Sequence, residues 1–296
     1  MKNSIPSPWL GPTRGYLFDW ITQKWVQMTG LTVDLDSHRW LDGPIGEPSG
    51  IGGDYFNRLS EKDGLELRRN VPEVVLIQEL TTLESDSFDL NQLDPQVRNF
   101  YEHTSNYDLD VWAEWSSVFR PFGRLLAFFF SRRLQQLNVP LSSLETSHGM
   151  TSEVIQLAEP DSGAIKYVAW LRHLVGTGHV LYAGCYSACK VPGFDGVCVK
   201  VVFPLPNGNA IVLMKPSIGN DGSLTVTSSG NKFGDPGFYF VVHKSDGDVT
   251  ARYVRTMRES IHVYPDANSV VRANHILKIF GFTFLRLHYR MVPKMS

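Results

Sequence analysis

The sequence predicts an α+β protein in which a curved antiparallel β-sheet or half-barrel of about ten strands, supplied by the C-terminal half, wraps around a helix from the N-terminal half. Three observations carry that expectation. From Thr151 onward, short segments of alternating apolar and polar residues recur to the end of the chain. They are separated by hairpin signals such as Pro160-Asp161-Ser162-Gly163, Pro206-Asn207-Gly208 and Asp246-Gly247, which leave no room for crossover helices. Residues 91–150 instead carry helix starts and apolar stripes of helical period. A sheet of that many twisted strands does not stay open and flat, so it curls.

Composition narrows the class. Of 296 residues, 43% are hydrophobic and 20% charged, ordinary for a globular chain with a substantial core, which excludes wholesale disorder. A net charge of −2 offers no surplus of Lys and Arg for a phosphate backbone, so no nucleic-acid partner is expected. The start, MKNSIPSPWLGPTRGY, is broken by prolines where a signal peptide needs an apolar run, and a cytoplasmic location is expected. The most apolar run, Leu125 to Phe130, falls far short of the roughly 20 residues of a membrane span. Three cysteines, Cys185, Cys189 and Cys198, fit no complete disulfide framework, and their C-x3-C-x8-C spacing lacks the tight knuckle of a structural zinc site. They are read as reduced thiols in strand cores, with no metal.

Three regions follow: 1–90, irregular and partly helical; 91–150, helical and packed on the sheet; and 151–296, the sheet itself. Tyr16 to Met28 suits an amphipathic helix with Leu17, Trp20, Ile21, Lys24, Trp25 and Met28 near one face. The glycine-rich stretch Gly43 to Gly53 lacks the GK[ST] ending of a phosphate loop and reads as a connection. Val71 to Leu80 suits strand or helix equally. Asp94-Pro95 caps a helix over Gln96 to His103, and Asp108 or Asp110 starts a second over Val111 to Val118. A third, Pro121 to Leu137, presents Leu125, Leu126, Phe129, Phe130, Arg133, Leu134 and Leu137 as one stripe. It is expected to fill the sheet's concave side; the competing reading lays it on a membrane surface with Arg124, Arg132 and Arg133 at the headgroups.

The expected strands run from Glu153 to Val292, and the longest is Val249 to Tyr264. Its odd-numbered face is apolar except for Arg255 and Glu259, charges that are costly to bury without a partner or a wet cavity. On the last strand, Leu285, Leu287, Tyr289 and Met291 are expected inward, leaving Arg286, His288 and Arg290 as a solvated ladder.

Leu93-Asp94-Pro95-Gln96-Val97-Arg98, Arg124-Leu125-Leu126 and the Trp170-Leu171-Arg172 strand, followed by the hairpin-rich half, resemble the pattern of the YndJ-type bacterial domain of unknown function over about residues 90 to 292. The resemblance implies a curved sheet around helices and brings no catalytic residues with it.

These readings give a functional expectation: a small apolar or amphiphilic molecule held in a cavity between helix and sheet. Tyr253, Met257, Arg133, Phe129 and Trp170 are the expected lining. In the same cavity Arg255 would hold a carboxylate or enolate oxygen and Glu259 would move a proton, the chemistry of a cofactor-free isomerase, cyclase or hydrolyase. The two competitors are a purely structural ionic network and a peripheral membrane or interaction protein. No cofactor is expected: there is no HExxH pair among the nine histidines and no GxSxG elbow.

Overall fold

The computed structural model describes residues 7–69, 75–76, 80–86, 88–116, 118–121, 123, 131–136, 138 and 149–294. Among them are three helices of two turns or more, α1 (Leu17–Thr29), α2 (Tyr55–Asp63) and α3 (Pro95–Glu102). The strands are β1 (Leu31–Val33), β2 (Glu66–Arg69), β3 (Tyr107–Trp115), β4 (Met150–Ala158), β5 (Ile165–Leu174), β6 (Val180–Val191), β7 (Phe194–Leu205), β8 (Gly208–Ile218), β9 (Leu224–Ser228), β10 (Phe238–His243), β11 (Val249–Tyr253), β12 (Met257–Pro265), β13 (Val271–Ile279) and β14 (Phe282–Pro293).

Ten of these strands close on themselves in the order β3-β4-β5-β6-β7-β8-β9-β12-β13-β14, every pair antiparallel, so the α+β expectation resolves into a closed barrel. Closure works because β8 forks. Its first residues pair β10 and its last four pair β9, so β10, β11 and β1 peel off as a flange while β9 carries the ring onward. The hairpin turns are where the sequence puts them; Asn207 takes φ 57° in the β7–β8 turn, a backbone conformation that Asn tolerates better than most residues.

Two cores result. One lines the inside of the barrel; the other lies between the outer face of the wall and residues 33–67, which cover it. On β5, Val168, Trp170 and Leu174 belong to the inner core, and Ala169 and Leu171 to the outer one. Strands covered on both sides lose the alternation of a half-buried sheet, which is why β7 and β8 read as near-continuous apolar runs. Gly43 lets the covering chain lie flat there, since a Cβ on it would stand 2.7 Å from a Val202 methyl. The far side of the barrel keeps the alternation. On β14, Leu285, Leu287, Tyr289 and Met291 face in, and Arg290 and Arg286 face out to meet Asp110 (2.7 Å) and Glu114 (3.6 Å) on β3.

α3 closes one end with Val97 and Phe100 in the inner core. Asp94 caps it as the sequence predicts, accepting from the backbone N–H of Gln96 (2.8 Å) and Val97 (3.4 Å) with Pro95 in the first turn. Pairing of β6 with β7 starts only at Cys185, and the stretch of β6 before it is met by side-chain amides instead. Gln136 Nε2 donates to the Ala183 carbonyl (2.8 Å) and its Oε1 accepts from Ala183 N–H (2.9 Å). Gln135 and Asn138 do the same for Val180, at 3.2 and 2.7 Å.

Three expectations are corrected. The strand Val249 to Tyr264 is two strands: Val254, Arg255 and Thr256 form a turn that sends β11 to the flange and β12 into the ring. Val111 to Val118 is not a helix; Leu109, Val111 and Ala113 alternate with Asp110, Trp112 and Glu114, and β14 offers a partner edge, so the segment is β3. α1 forms where expected, burying Asp19, Gln23 and Val26 and leaving Ile21, Trp25 and Met28 outside. Gln23 is drawn in by the Pro206 carbonyl (3.0 Å) and Asp19 by Arg133. The sheet also takes strands from each of the three regions read from the sequence. Most of Pro121 to Leu137 and of Val71 to Leu80 lies outside the described residues; Arg132–Leu134 is helical and Leu80–Leu83 a 3-10 turn.

Candidate functional site

The barrel encloses a cavity of about 540 Å³, bordered at one end by Phe100 and Tyr101 and at the other by Gln23, Trp25 and Val26 of α1. Its wall is apolar over most of its extent, with Val199, Val201, Val212, Met214, Leu224 and Val226 among the lining residues. Against that background one polar cluster stands out, built from β5, β6, β12, β13 and β14.

Arg172 is its centre. The inward parity of Val168, Trp170 and Leu174 on β5 brings Arg172 into the barrel as well, where it is only 6% exposed. Its guanidinium carbon lies 3.5 Å from the Trp170 ring centroid, 4.9 Å from that of Tyr182 and 5.6 Å from that of Tyr289. Cation–π contact with three rings offsets part of the cost of burying the charge, but ring faces do not use up its N–H donors. The Tyr289 hydroxyl accepts a hydrogen bond from it, Nε has no partner, and no carboxylate pairs with the guanidinium among the described residues. Trp170 is itself fixed by its indole N–H, which donates to Ser152 Oγ at 2.7 Å.

On β6, Tyr182 and Tyr186 point inward on either side of Gly184, their hydroxyl oxygens 2.5 Å apart. Glycine is needed between them: a Cβ on residue 184 would stand 2.9 Å from the Tyr182 ring. Burial drives the phenol pKa values upward, that of Tyr182 well above the ordinary 10 and that of Tyr289 up to about 12, while Arg172 pulls the other way and Glu259 adds to the rise. These hydroxyls are therefore protonated donors at neutral pH.

Across the barrel, Glu259 on β12 has its Oε1 2.8 Å from His275 Nε2 on β13, a diagonal cross-strand contact, since Glu259 faces Leu277 and His275 faces Ile261 in the register. Both side chains are 14% exposed. The His275 ring lies nearly parallel to that of Tyr289, centroids 6.4 Å apart, which links the pair to the arginine side of the cluster. His275 Nε2 nonetheless makes no hydrogen bond, so the contact is a close approach of the two groups rather than a bonded pair.

Of the residues expected from the sequence, Glu259, Met257 and Trp170 line the cavity. Arg255 does not: the turn between β11 and β12 leaves it exposed, and the proposed pairing of Arg255 with Glu259 in one interior site is corrected. Tyr253 belongs to the outer core, its ring 5.0 Å from that of Tyr239. Arg133 ties its segment to α1 through Asp19 (2.5 Å) and the Tyr16 ring (4.4 Å). Burial raises the Asp19 pKa even though Arg133 lowers it. Phe129 lies outside the described residues. Sequence reasoning missed Arg172, Tyr182, His275 and Tyr289. The signal for Arg172 was present, a lone cation on the same face as Val168, Trp170 and Leu174.

The three cysteines are free thiols, Cys185 and Cys198 buried and Cys189 partly so. Among the described residues, no group of three or more His, Cys, Asp or Glu side chains is placed to hold a metal, and no helix is long and apolar enough to cross a membrane.

Fold and interior together define the class of object: an α+β protein whose closed antiparallel barrel holds a charged, aromatic cluster within an apolar cavity. The chain is similar to the uncharacterized membrane protein YndJ of Bacillus subtilis (strain 168), with 26% identity over 216 residues, 72% of this chain and 37% of that protein. It thus spans little more than a third of the length of that relative. No family model matches the chain, and no solved structure matches it significantly.

Proposed function

We propose that this protein binds a small apolar or amphiphilic molecule inside its barrel. The observation that carries the reading is a cavity of about 540 Å³ with largely aliphatic walls, inside the range of roughly 300–1,000 Å³ typical of small-molecule pockets. Polar groups are few; those around Arg172 form one cluster and Asp19, Thr22 and Gln23 of α1 border the other end, an arrangement that can orient a mostly apolar ligand. Free, buried thiols agree with a reducing, cytoplasmic setting for this activity. Native mass spectrometry of protein purified from its own host tests the reading. The expected result is an adduct that organic extraction releases and added oleyl alcohol replaces; a single unliganded mass that takes up no added lipid would refute it.

A second reading is favoured by one feature of α1. The helix borders the cavity with Gln23, Trp25 and Val26, and Ile21 (48% exposed), Met28 (84%) and the exposed part of Trp25 (42%) face outward, with Leu31 (55%) just beyond. Lys24 lies over the Trp20 ring and Arg252 over Trp25, so cations flank the apolar stripe, as on helices that rest in a bilayer interface. The relative is called a membrane protein by name, and we propose that α1 brings this chain to a membrane surface, from which a ligand would enter the barrel.

A further inference from the structure

Resting on the cavity reading, we infer that the bound molecule carries an anionic end, a carboxylate, seated against Arg172, with its apolar body along the barrel. An arginine does not escape burial by losing its proton, so a guanidinium held in a hydrocarbon interior calls for a compensating anion. Trp170 and Tyr182 offer it only ring faces, the Tyr289 hydroxyl accepts one hydrogen bond from it, and its Nε remains without a hydrogen-bond partner. The carboxylate belonging to the cluster, Glu259, lies against His275, 2.8 Å from its Nε2, and forms no ion pair with Arg172 among the described residues. A planar carboxylate matches the guanidinium fork, accepting two parallel N–H bonds. Beside it, Tyr182 and Tyr186 share one hydrogen bond between two hydroxyls, so one O–H remains to donate to the ligand. From that point the wall toward Val201, Val212 and Met214 is apolar and suits an alkyl or isoprenoid chain. Arg172 is thus a ligand-binding residue that selects head-group charge, and a long-chain carboxylic acid is the class of ligand it fits.

The experiment compares oleate, methyl oleate and oleyl alcohol, three probes with the same chain and different heads, by displacement of Nile red from the delipidated full-length chain. At about pH 8 the fatty acid's own carboxyl group is ionised in water. Oleate should bind at least about tenfold more tightly than the alcohol or the ester. Arg172→Gln should erase that preference while leaving alcohol binding in place, and Arg172→Lys, a point charge without the fork, should keep part of it. Equal affinity for the three probes in the wild type would overturn the anionic head and leave the cavity reading standing. Binding of none would remove the cavity reading and the inference with it. Retention of the preference by a folded Arg172→Gln variant would also overturn the assignment; should the variants fail to fold, the wild-type ratio alone decides.

Discussion

His173 and His243 show how single residues set the response of this protein to acid. Burial holds both imidazoles below the ordinary 6.5; Glu153 and Asp42, respectively, oppose the shift, and Arg69 adds to it at His173. His288 is shifted the same way, by burial and by Arg272. The sign follows from linkage. The unfolded chain takes up protons at these positions before the folded protein does, so stability is at its full value above about pH 6.5 and falls as pH drops through the folded pKa values. The carboxylates of Asp34, Asp54 and Asp266, held below 3.8 by hydrogen bonds or cations, add a second loss at lower pH; Asp19, raised by burial, works against it. A thermal midpoint that is flat from about pH 8 to 6.5 and then declines is expected. His173→Gln should shrink the decline, and a midpoint constant down to about pH 5 would contradict the assignment. At this scale Arg255 and Arg172 mark the limits of reading from sequence. The alternation around 255 suggested an inward arginine, and a turn without Gly or Pro at 254–256 gave no warning. Arg172 is a lone cation on the face of Val168, Trp170 and Leu174, but the run is apolar on both faces, so that signal had little contrast to stand against.

Elements of this fold were legible in proportion to how local their causes are. The Asp94-Pro95 cap and the Asn207-Gly208 turn are decided by neighbouring residues, and both appear as read. β3 was not legible, because Asp108 and Asp110 are helix-capping residue types that here stand on the solvent face of a strand, and only β14, far along the chain, reveals the pairing. The amides on β6 are likewise a tertiary device. Gln136 satisfies both the N–H and the carbonyl of Ala183 in a buried site, so Gln136→Leu leaves two backbone groups without partners, at about 1–3 kcal/mol each. A lowered denaturation midpoint is expected for Gln136→Leu and a smaller change for Gln135→Ala, which removes one bond to Val180 N–H. Equal, negligible shifts for the two would mean that water takes over the amide's role.

For the whole molecule, the barrel was half visible in advance. Hairpin spacing implied about ten antiparallel strands, and ten close the ring, but the membership differs because β10 and β11 leave it and β3 enters. The buried face of α1 was not legible, since a hydrophobic stripe marks the buried side only when nothing else claims the helix, and here Asp19 and Gln23 have partners inside. That arrangement leaves the apolar stripe outside, and flotation with anionic liposomes checks its role. The wild type should rise with the vesicles and Trp25→Asp should stay behind, while a double change of Ile21 and Met28 to Ser weakens capture without touching the barrel. Co-sedimentation unchanged in both variants would place the membrane contact elsewhere or nowhere.

The wall made by β7 and β8 is apolar on both sides, so sliding either strand by one residue would trade one hydrophobic face for another and give little energetic objection. Something else must hold the alignment, and the few buried polar groups on the outward face act as pegs in a ratchet. The Lys200 ammonium, its pKa lowered by burial, reaches the Asp42 and Arg39 carbonyls, and the Asn209 amide reaches those of Gly43 and Pro44. Only one setting of the strands lets both engage.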